Sequence, residues 1–329
     1  MRILVTGGAG FIGSHLCRRL LADGHDVSVV DNESTGRREN VPPGVRFVSA
    51  DVTRPAEVEP TFAQGLDAVC HIAGQVSIMR SFSDPVADLR TNVEGTVRIL
   101  QLCLKHKVPR LLYASSMTMY GDCRVVPTPE TEPCRPDSYY GITKHAAERY
   151  VHATAERPDL GFEFRATSLR MFSVFGPGQA LNNPYQGVLG IFLGNMLRGE
   201  PITIFGDGEQ TRDFVYVDDI VDGWARALNR PAASGGVFNL GSGRSLSINQ
   251  LAARAVAAFG HPPGGYKIVH ARERPGEQRR VQADIRQARS VLGWMPQTAF
   301  ETGLVETVRA ARGELATPPT EQTSRSAGR

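Results

Sequence analysis

The sequence predicts an α/β fold, a doubly wound parallel sheet followed by a smaller C-terminal α/β domain. Three observations predict it. Short apolar runs alternate with helical patterns through the first half, a glycine-rich turn joins the first run to the first helix, and an acid ends the second run. Such alternation places parallel strands in one sheet with helices on both faces. "RILVT" (2–6) reads as a buried strand, and the helix after it spans about 11–23 with Ile12, Leu16, Leu20 and Leu21 as apolar positions. "DVSVVD" (26–31), "VRFVSAD" (45–51), "DAVCHIA" (67–73) and "RLLYASS" (110–116) repeat the strand signal, and 86–106 reads as a long helix. After about residue 166 the rhythm becomes irregular. "GEPITIFGDGEQTRDFVYVDD" gives short strands broken by glycines, followed by a helix near 218–229, a strand in "GVFNLG" and a helix near 247–259. The expected division is a doubly wound domain over 1–167, with elements near 214–242 packing back on it. A smaller domain covers mainly 168–312, and the Thr/Pro/Ser/Gly-rich end, 313–329, is expected to be disordered.

Composition narrows the class. A chain of 329 residues, 41% hydrophobic and 22% charged, can bury a sizeable core. The net charge of +3 is small and its basic residues are scattered, so a nucleic-acid partner is not implied. No apolar run reaches the ~20 residues that span a bilayer, and nothing has the organisation of a signal peptide. The five cysteines show no C-x-x-C spacing and read as reduced thiols, so the expectation is a cytoplasmic protein with no membrane association and no metal.

"GGAGFIG" sets Gly7, Gly10 and Gly13 between the first strand and the first helix. Glycines there allow a tight turn, close backbone approach to a pyrophosphate and close packing of helix on strand. The helix N-terminus adds free N–H groups and a positive dipole end for the phosphates. Asp31 ends the second strand, placed to accept from the adenosine ribose hydroxyls and to repel a 2′-phosphate. The cofactor expected is therefore NAD rather than NADP, although Arg37 and Arg38 follow. "SYYGITKH" sets Tyr140 and Lys144 four residues apart, on one helix face with Cβ atoms about 5–6 Å from each other. An ammonium so close favours the phenolate and is expected to lower the tyrosine pKa, making Tyr140 a candidate general base.

With these motifs in order, together with "YASSMTMYGD", "NVEGT", "RDFVYVDD", "FNLGSG" and "RPGEQRRVQADIRQARSVLGW", the chain resembles the extended short-chain dehydrogenase/reductase family. Within it the chain is most similar to the nucleotide-sugar epimerases and dehydratases, especially the UDP-hexose 4-epimerases, from residue 1 to about 310. The resemblance implies a Rossmann domain carrying NAD, a smaller domain carrying a nucleotide-diphosphate sugar, and a homodimer joined through helices around 90–106 and 141–156. It assigns Ser116, Tyr140 and Lys144 to catalysis, Lys144 also holding the nicotinamide ribose. Cofactor contacts are implied for Gly7, Gly10, Phe11, Ile12, Gly13, Asp31, Asn32, Asp51, Val52, Ala73, Gly74 and Asn92, besides Tyr140 and Lys144. Asp51 and Val52 are expected to face the adenine. His71 precedes a strand end where the family keeps a structural residue. Substrate contacts are implied for Ser77, Ser116, Thr118, Tyr140, Ser173, Val188, Phe205, Arg212, Arg274 and Val281. Arg212 and Arg274 match the family's diphosphate-binding arginines, two guanidinium groups suited to charge-assisted contacts. Phe205 is placed to stack on the nucleotide base or to lie in the core.

The family shares a first oxidation at the sugar C4. Its dehydratases then use an Asp-Glu pair directly after the Ser/Thr, where this chain has Met117 and Thr118, and its uronic-acid decarboxylases carry Glu at the position of Thr118. Neither present side chain is a carboxylic acid, so epimerisation at C4 is favoured, with a UDP-hexose the first expectation for the substrate. Ser173 stands where most members have Asn, which adds weight to a uronic acid, yet Ala180 replaces the Arg usual in those epimerases. The "NNPYQGV" insertion is more like epimerases of bacterial deoxysugars, which leaves a dTDP-deoxysugar open. A keto-sugar reductase and a non-enzymatic NAD-sensing protein are further alternatives. Val281 is small where a Tyr restricts related enzymes to plain hexoses, and so is expected to admit an N-acetyl group.

Overall fold

The computed structural model describes residues 1–181, 187–273 and 278–314. Strands β1 (Arg2–Thr6), β2 (Asp26–Asp31), β3 (Arg46–Ser49), β4 (Ala68–His71), β5 (Arg110–Ser116) and β6 (Arg165–Met171) lie parallel in one sheet. Beyond β7 (Ser173–Phe175), β8 (Ile202–Phe205), β9 (Thr211–Arg212) and β10 (Phe214–Tyr216), strand β11 (Val237–Leu240) returns to pair with β6. The order is β11-β6-β5-β4-β1-β2-β3, seven strands with the winding direction reversing between β1 and β4. Ligands of such sheets bind at the carboxyl ends of the strands beside that reversal.

Alternation along each strand divides the core. Ile3 and Val5 face one layer, built with Leu16 and Leu20 of α1 (Phe11–Ala22) and Ile220 and Trp224 of α8 (Val217–Asn229). Leu4 faces the other, built from α2 (Pro55–Phe62), α5 (Gly95–Lys105) and α6 (Tyr139–Ala155), where Phe62, Ile99 and Val151 are buried. Both faces being covered explains why these strands read as nearly continuous apolar runs. The expected long helix over 86–106 is α4 (Pro85–Leu89), which follows the short α3 (Ile78–Ser83), running through a π-helical turn at Arg90–Glu94 into α5.

The sixth strand lies where the apolar rhythm of the sequence fails. Its residues Thr167, Ser168 and Arg170 are polar yet buried, each with a partner. Thr167 Oγ1 donates to the Ala233 carbonyl at 2.8 Å, Ser168 Oγ meets His152 Nε2 at 2.9 Å, and Arg170 pairs with Glu148 at 2.6 Å. Satisfied polar side chains replace the apolar ones by which a central strand is usually recognised.

The C-terminal elements form a second, smaller core. Helices α7 (Val188–Leu197), α9 (Ile248–Ala258) and α10 (Phe300–Ala311) pack Phe192, Leu251 and Leu304 against Ile202 and Ile204 of β8 and Phe214 of β10. Two-stranded pairings of β10 with β7, of β12 (Leu246–Ser247) with β9, and of β13 (Ile268–Ala271) with β8 complete it. The expected disordered end falls, beyond residue 314, outside the described residues, as do residues 182–186 of the "NNPYQGV" insertion.

Candidate active site and cofactor cradle

The glycine turn is shaped by backbone crowding. Gly7 has φ of +72°, and a Cβ on it would lie 2.7 Å from the Ala73 nitrogen. A Cβ on Gly13 would lie 2.1 Å from the Gly7 carbonyl oxygen, so only glycine lets α1 approach the turn this closely. Gly10 caps α1, with Phe11 and Ile12 opening its first turn, and no side chain caps that N-terminus. Asp31, 9% exposed at the end of β2, accepts from the Ala9 N–H at 3.0 Å and the Glu33 N–H at 2.8 Å. Burial raises its pKa while those two N–H groups oppose the rise. Nearby, Asn32 donates to Asp51 at 3.0 Å, and Asp51 also accepts from Thr53. Partial burial pushes the Asp51 pKa upward, but the Thr53 and Asn32 donors outweigh it and hold the carboxyl below its usual range. Val52 is buried against Gly95. The cradle offers an uncapped helix end where a pyrophosphate would lie and an acceptor where a ribose would lie, which fits NAD.

Ala73 and Gly74 follow β4. A Cβ on Gly74 would stand 2.9 Å from Asn92 Oδ1 and 3.6 Å from Lys144 Nζ, so this backbone passes close beneath two predicted cofactor residues. Asn92 sits in the π-helical turn, a device that often re-aims a side chain at a functional site. Its amide accepts from the Gln75 N–H at 2.9 Å and donates to Asp88 and Thr143 at 3.1 and 3.2 Å. His71 is fully buried, with Thr6 Oγ1 at 2.7 Å from Nδ1 and Thr96 Oγ1 at 3.0 Å from Nε2. Burial drives its pKa down to about 3, and the Lys144 charge adds to the effect. Held neutral and with both nitrogens engaged, it is a strap between β1 and α5.

Ser116 at the end of β5 and Tyr140 in the first turn of α6 converge, the Ser116 hydroxyl lying close enough to favour the phenolate. Thr118 Oγ1 lies 3.0 Å from Ser116 Oγ, and all three side chains are buried. The expected lowering of the Tyr140 pKa is not what the chain alone produces. Burial pushes it up to about 12, against the pull of the Ser116 hydroxyl. The Lys144 ammonium is aimed 4.7 Å over the ring of Tyr113, and burial lowers its own pKa to about 8. The i,i+4 spacing puts both residues on one face, but it cannot show that the ring of a third residue lies under the ammonium.

Among the C-terminal elements, Val188, Phe205 and Arg212 line one pocket with Thr203, Ile204, Gln210 and Ile248. Arg212 Nη1 donates to the Thr211 and Gln278 carbonyls, at 2.8 Å each. Phe205 is half-buried at the end of β8, its carbonyl held by Gln210 at 2.8 Å. Ser173 opens β7, its N–H bonded to the Asp213 carbonyl at 2.9 Å. Ser77 is committed locally: its hydroxyl caps α3 by accepting from the Arg80 N–H at 3.0 Å. Val281 is 4% exposed, packed with Tyr120, Phe172 and Ala283, so its surroundings are already filled. Arg274 lies outside the described residues.

Several groups went unseen in the sequence. Arg170 is bound by Glu148 at 2.6 and 3.1 Å and donates to the Tyr120 hydroxyl at 2.8 Å and the Glu130 carbonyl at 3.1 Å. Ser115 Oγ donates to Glu148 at 2.6 Å, and Tyr120 donates to Asn239 at 2.7 Å. This buried network ties α6 to β5, β6 and β11. Its signal was present: Glu148 continues the Tyr140–Lys144 spacing by one more turn. Asp213, fully buried, accepts from Ser242 N and Oγ at 2.6 Å each, Gly243 N at 3.0 Å and Ala283 N at 2.9 Å, which joins the chain just after Arg212 to the segment carrying Val281.

Residues 3–241 match the model of the NAD dependent epimerase/dehydratase family. The chain belongs to that family. It is similar to the UDP-glucose 4-epimerase of Thermotoga maritima solved with UDP-glucose, at 38% identity and a TM-score of 0.89, covering 95% of this chain and 99% of that one. The UDP-glucose 4-epimerase of Thermus thermophilus in complex with NAD is 36% identical with a TM-score of 0.88, over 96% of this chain and 100% of that one. UDP-glucuronic acid decarboxylase 1 of Xenopus tropicalis is 37% identical over 95% of this chain and 73% of its own length. The cofactor is NAD, and the fold is that of the two-domain nucleotide-sugar enzymes of this family. Among the described residues no helix is long and apolar enough to cross a membrane.

Proposed function

We propose that the protein is an NAD-dependent nucleotide-sugar 4-epimerase, inverting C4 of a UDP-hexose through a 4-keto sugar. The observation that carries this reading is the buried pair of Ser116 and Tyr140 with Thr118, not a carboxylic acid, as the third group. Tyr140 removes the C4 hydroxyl proton and later returns it, while Ser116 hydrogen-bonds the same oxygen. Thr118 holds Ser116 in its rotamer. When bound, NAD supplies the acceptor for the C4 hydride, and its cationic ring favours the Tyr140 phenolate. Elimination or decarboxylation calls for a further acid, and Met117 and Thr118 provide none. Gly7, Gly10, Gly13 and Asp31 would hold the pyrophosphate and adenosine ribose, with Asn92 and Lys144 toward the nicotinamide end. Phe205 and Arg212 would hold the base and diphosphate of the substrate, joined by Arg274.

A homodimer joined through the helices around 90–106 and 141–156 is part of the proposal, with α3 and α4 extending the seam. Ile78, Met79, Phe82, Val86 and Leu89 of α3 and α4 are exposed beside the exposed Tyr139 and Ile142 of α6. The rings of Phe82 and Tyr139 lie 5.3 Å apart, so this is one apolar face, of the kind that marks a protein contact. The likeness to a decarboxylase supports a second reading, in which a UDP-uronic acid is the substrate. Incubation with a panel of UDP- and dTDP-sugars without added cofactor, followed by NMR, separates them. C4 epimers are expected, and a UDP-pentose formed with loss of carbon dioxide would replace this reading by the second.

A further inference from the structure

One fully buried carboxylate, Asp88 on α4, takes no part in the chemistry so far described. It gathers three side chains from three segments of the chain. Oδ1 accepts from Gln75 Nε2 at 2.6 Å and from Asn92 Nδ2 at 3.1 Å, and Oδ2 accepts from the Thr143 hydroxyl at 2.7 Å. Burial raises the Asp88 pKa, and the Thr143 and Gln75 donors and the Lys144 charge oppose that rise in favour of the ionised carboxylate. Thr143 precedes Lys144 on α6, and the same Asn92 amide oxygen stands beside the point under Gly74 that Lys144 Nζ approaches. The carboxylate is therefore one side chain removed from the catalytic cation.

We propose that Asp88 is a positioning residue for the reaction centre, fixing Thr143 and Asn92 beneath Lys144 and supplying the buried counter-charge for its ammonium. The inference rests on reading Tyr140 as the base and Lys144 as its cationic neighbour. The groups facing Lys144 are few. His71 of β4 is neutral, Tyr113 of β5 lies under the ammonium, and Tyr140 and Glu148 share its helix. Burial lowers the Lys144 pKa to about 8, while Asp88 first and Glu148 next pull it upward. Burial raises the Tyr140 pKa to about 12, and the Asp88 charge adds to that rise. An anion favours the protonated form of both groups, so removing it lowers both pKa values. The whole pH–rate profile then moves to lower pH. A residue that only braced the fold would change the rate and leave the profile in place.

The test uses the NAD-bound enzyme carrying Asp88→Asn or the smaller Asp88→Thr, both neutral; either variant that folds reports the same sign. In Asp88→Asn the Thr143 hydroxyl retains an acceptor in the Tyr140 carbonyl at 3.1 Å. Both limbs of the kcat–pH profile are expected about one pH unit lower than in the unaltered enzyme, with Asp88→Glu restoring them. An unmoved profile in a folded neutral variant would overturn the proposal. The ultraviolet titration of the Tyr140 phenolate, taken as the difference from the same protein carrying Tyr140→Phe, requires no turnover. If no sugar nucleotide is epimerised, the functional reading fails while this titration still decides on Asp88. A lower midpoint supports its role, and an unchanged midpoint refutes it.

Discussion

Replacing Glu148 by Gln should destabilise the protein far more than an isosteric change suggests. Glu148 is 3% exposed and Arg170 6% exposed, and the two meet through paired contacts at 2.6 and 3.1 Å. Burial alone would raise the Glu148 pKa, but the Arg170 guanidinium and the Ser115 hydroxyl outweigh it and hold the carboxyl below its usual value. With Gln at 148 the guanidinium keeps its bonds to Tyr120 and Glu130 but loses its counter-charge. Leaving one member of a buried pair uncompensated costs about 3–5 kcal/mol. Equilibrium urea denaturation at fixed NAD concentration measures this, since bound cofactor adds its own stabilisation. Because the network anchors α6 one turn beyond Lys144, kcat should fall as well. Pairing Glu148→Leu with Arg170→Met should recover much of the stability, as an apolar pair needs no counter-charge. A loss below about 1 kcal/mol in Glu148→Gln would mean that the pair behaves as an exposed one, which is worth no more than that.

Tyr140→Phe keeps the ring and removes the base; kcat should fall about 10²–10⁴-fold with NAD still bound, checked by turnover and by cofactor content after denaturation. Val281→Tyr adds a ring where Tyr120, Phe172 and Ala283 already pack, and urea denaturation should show a loss of about 1–3 kcal/mol. His71, with its pKa lowered from 6.5 to about 3, stays neutral in the folded state while the unfolded chain takes up a proton. Its contribution is present above pH 6.5 and is lost as pH falls toward 3, at about 1.4 kcal/mol per pH unit. His71→Gln should flatten the stability–pH curve over that window by this slope, as urea titrations at several pH values would show.

The doubly wound half was legible because its strands and helices bury apolar side chains with simple periods, as Ile3, Leu4 and Val5 do on β1. The glycine turn and Asp31 were legible because backbone crowding and a strand end leave few residue choices. Strand β6 was missed, since Thr167, Ser168 and Arg170 are buried through hydrogen bonds that only the tertiary structure supplies. Asp88 and Asp213 were missed for a related reason. A carboxylate in a sequence reads as solvated, and nothing local tells that three or four donors converge on it from distant segments. The pKa of Tyr140 moves opposite to expectation because spacing gives a neighbour's position along a helix but not the burial of the group itself.

In the proposed reaction one proton-transfer centre, Tyr140 with Ser116, serves both the oxidation of C4 by bound NAD and its reduction on the opposite face. This is tested most directly with UDP-glucose deuterated at C4, incubated with the protein without added cofactor and followed by NMR. Both C4 epimers are expected at equilibrium with the deuterium still on C4 in each. Absence of the second epimer from this and every other sugar nucleotide offered, or inversion with the deuterium exchanged for solvent hydrogen, would contradict the proposed reaction.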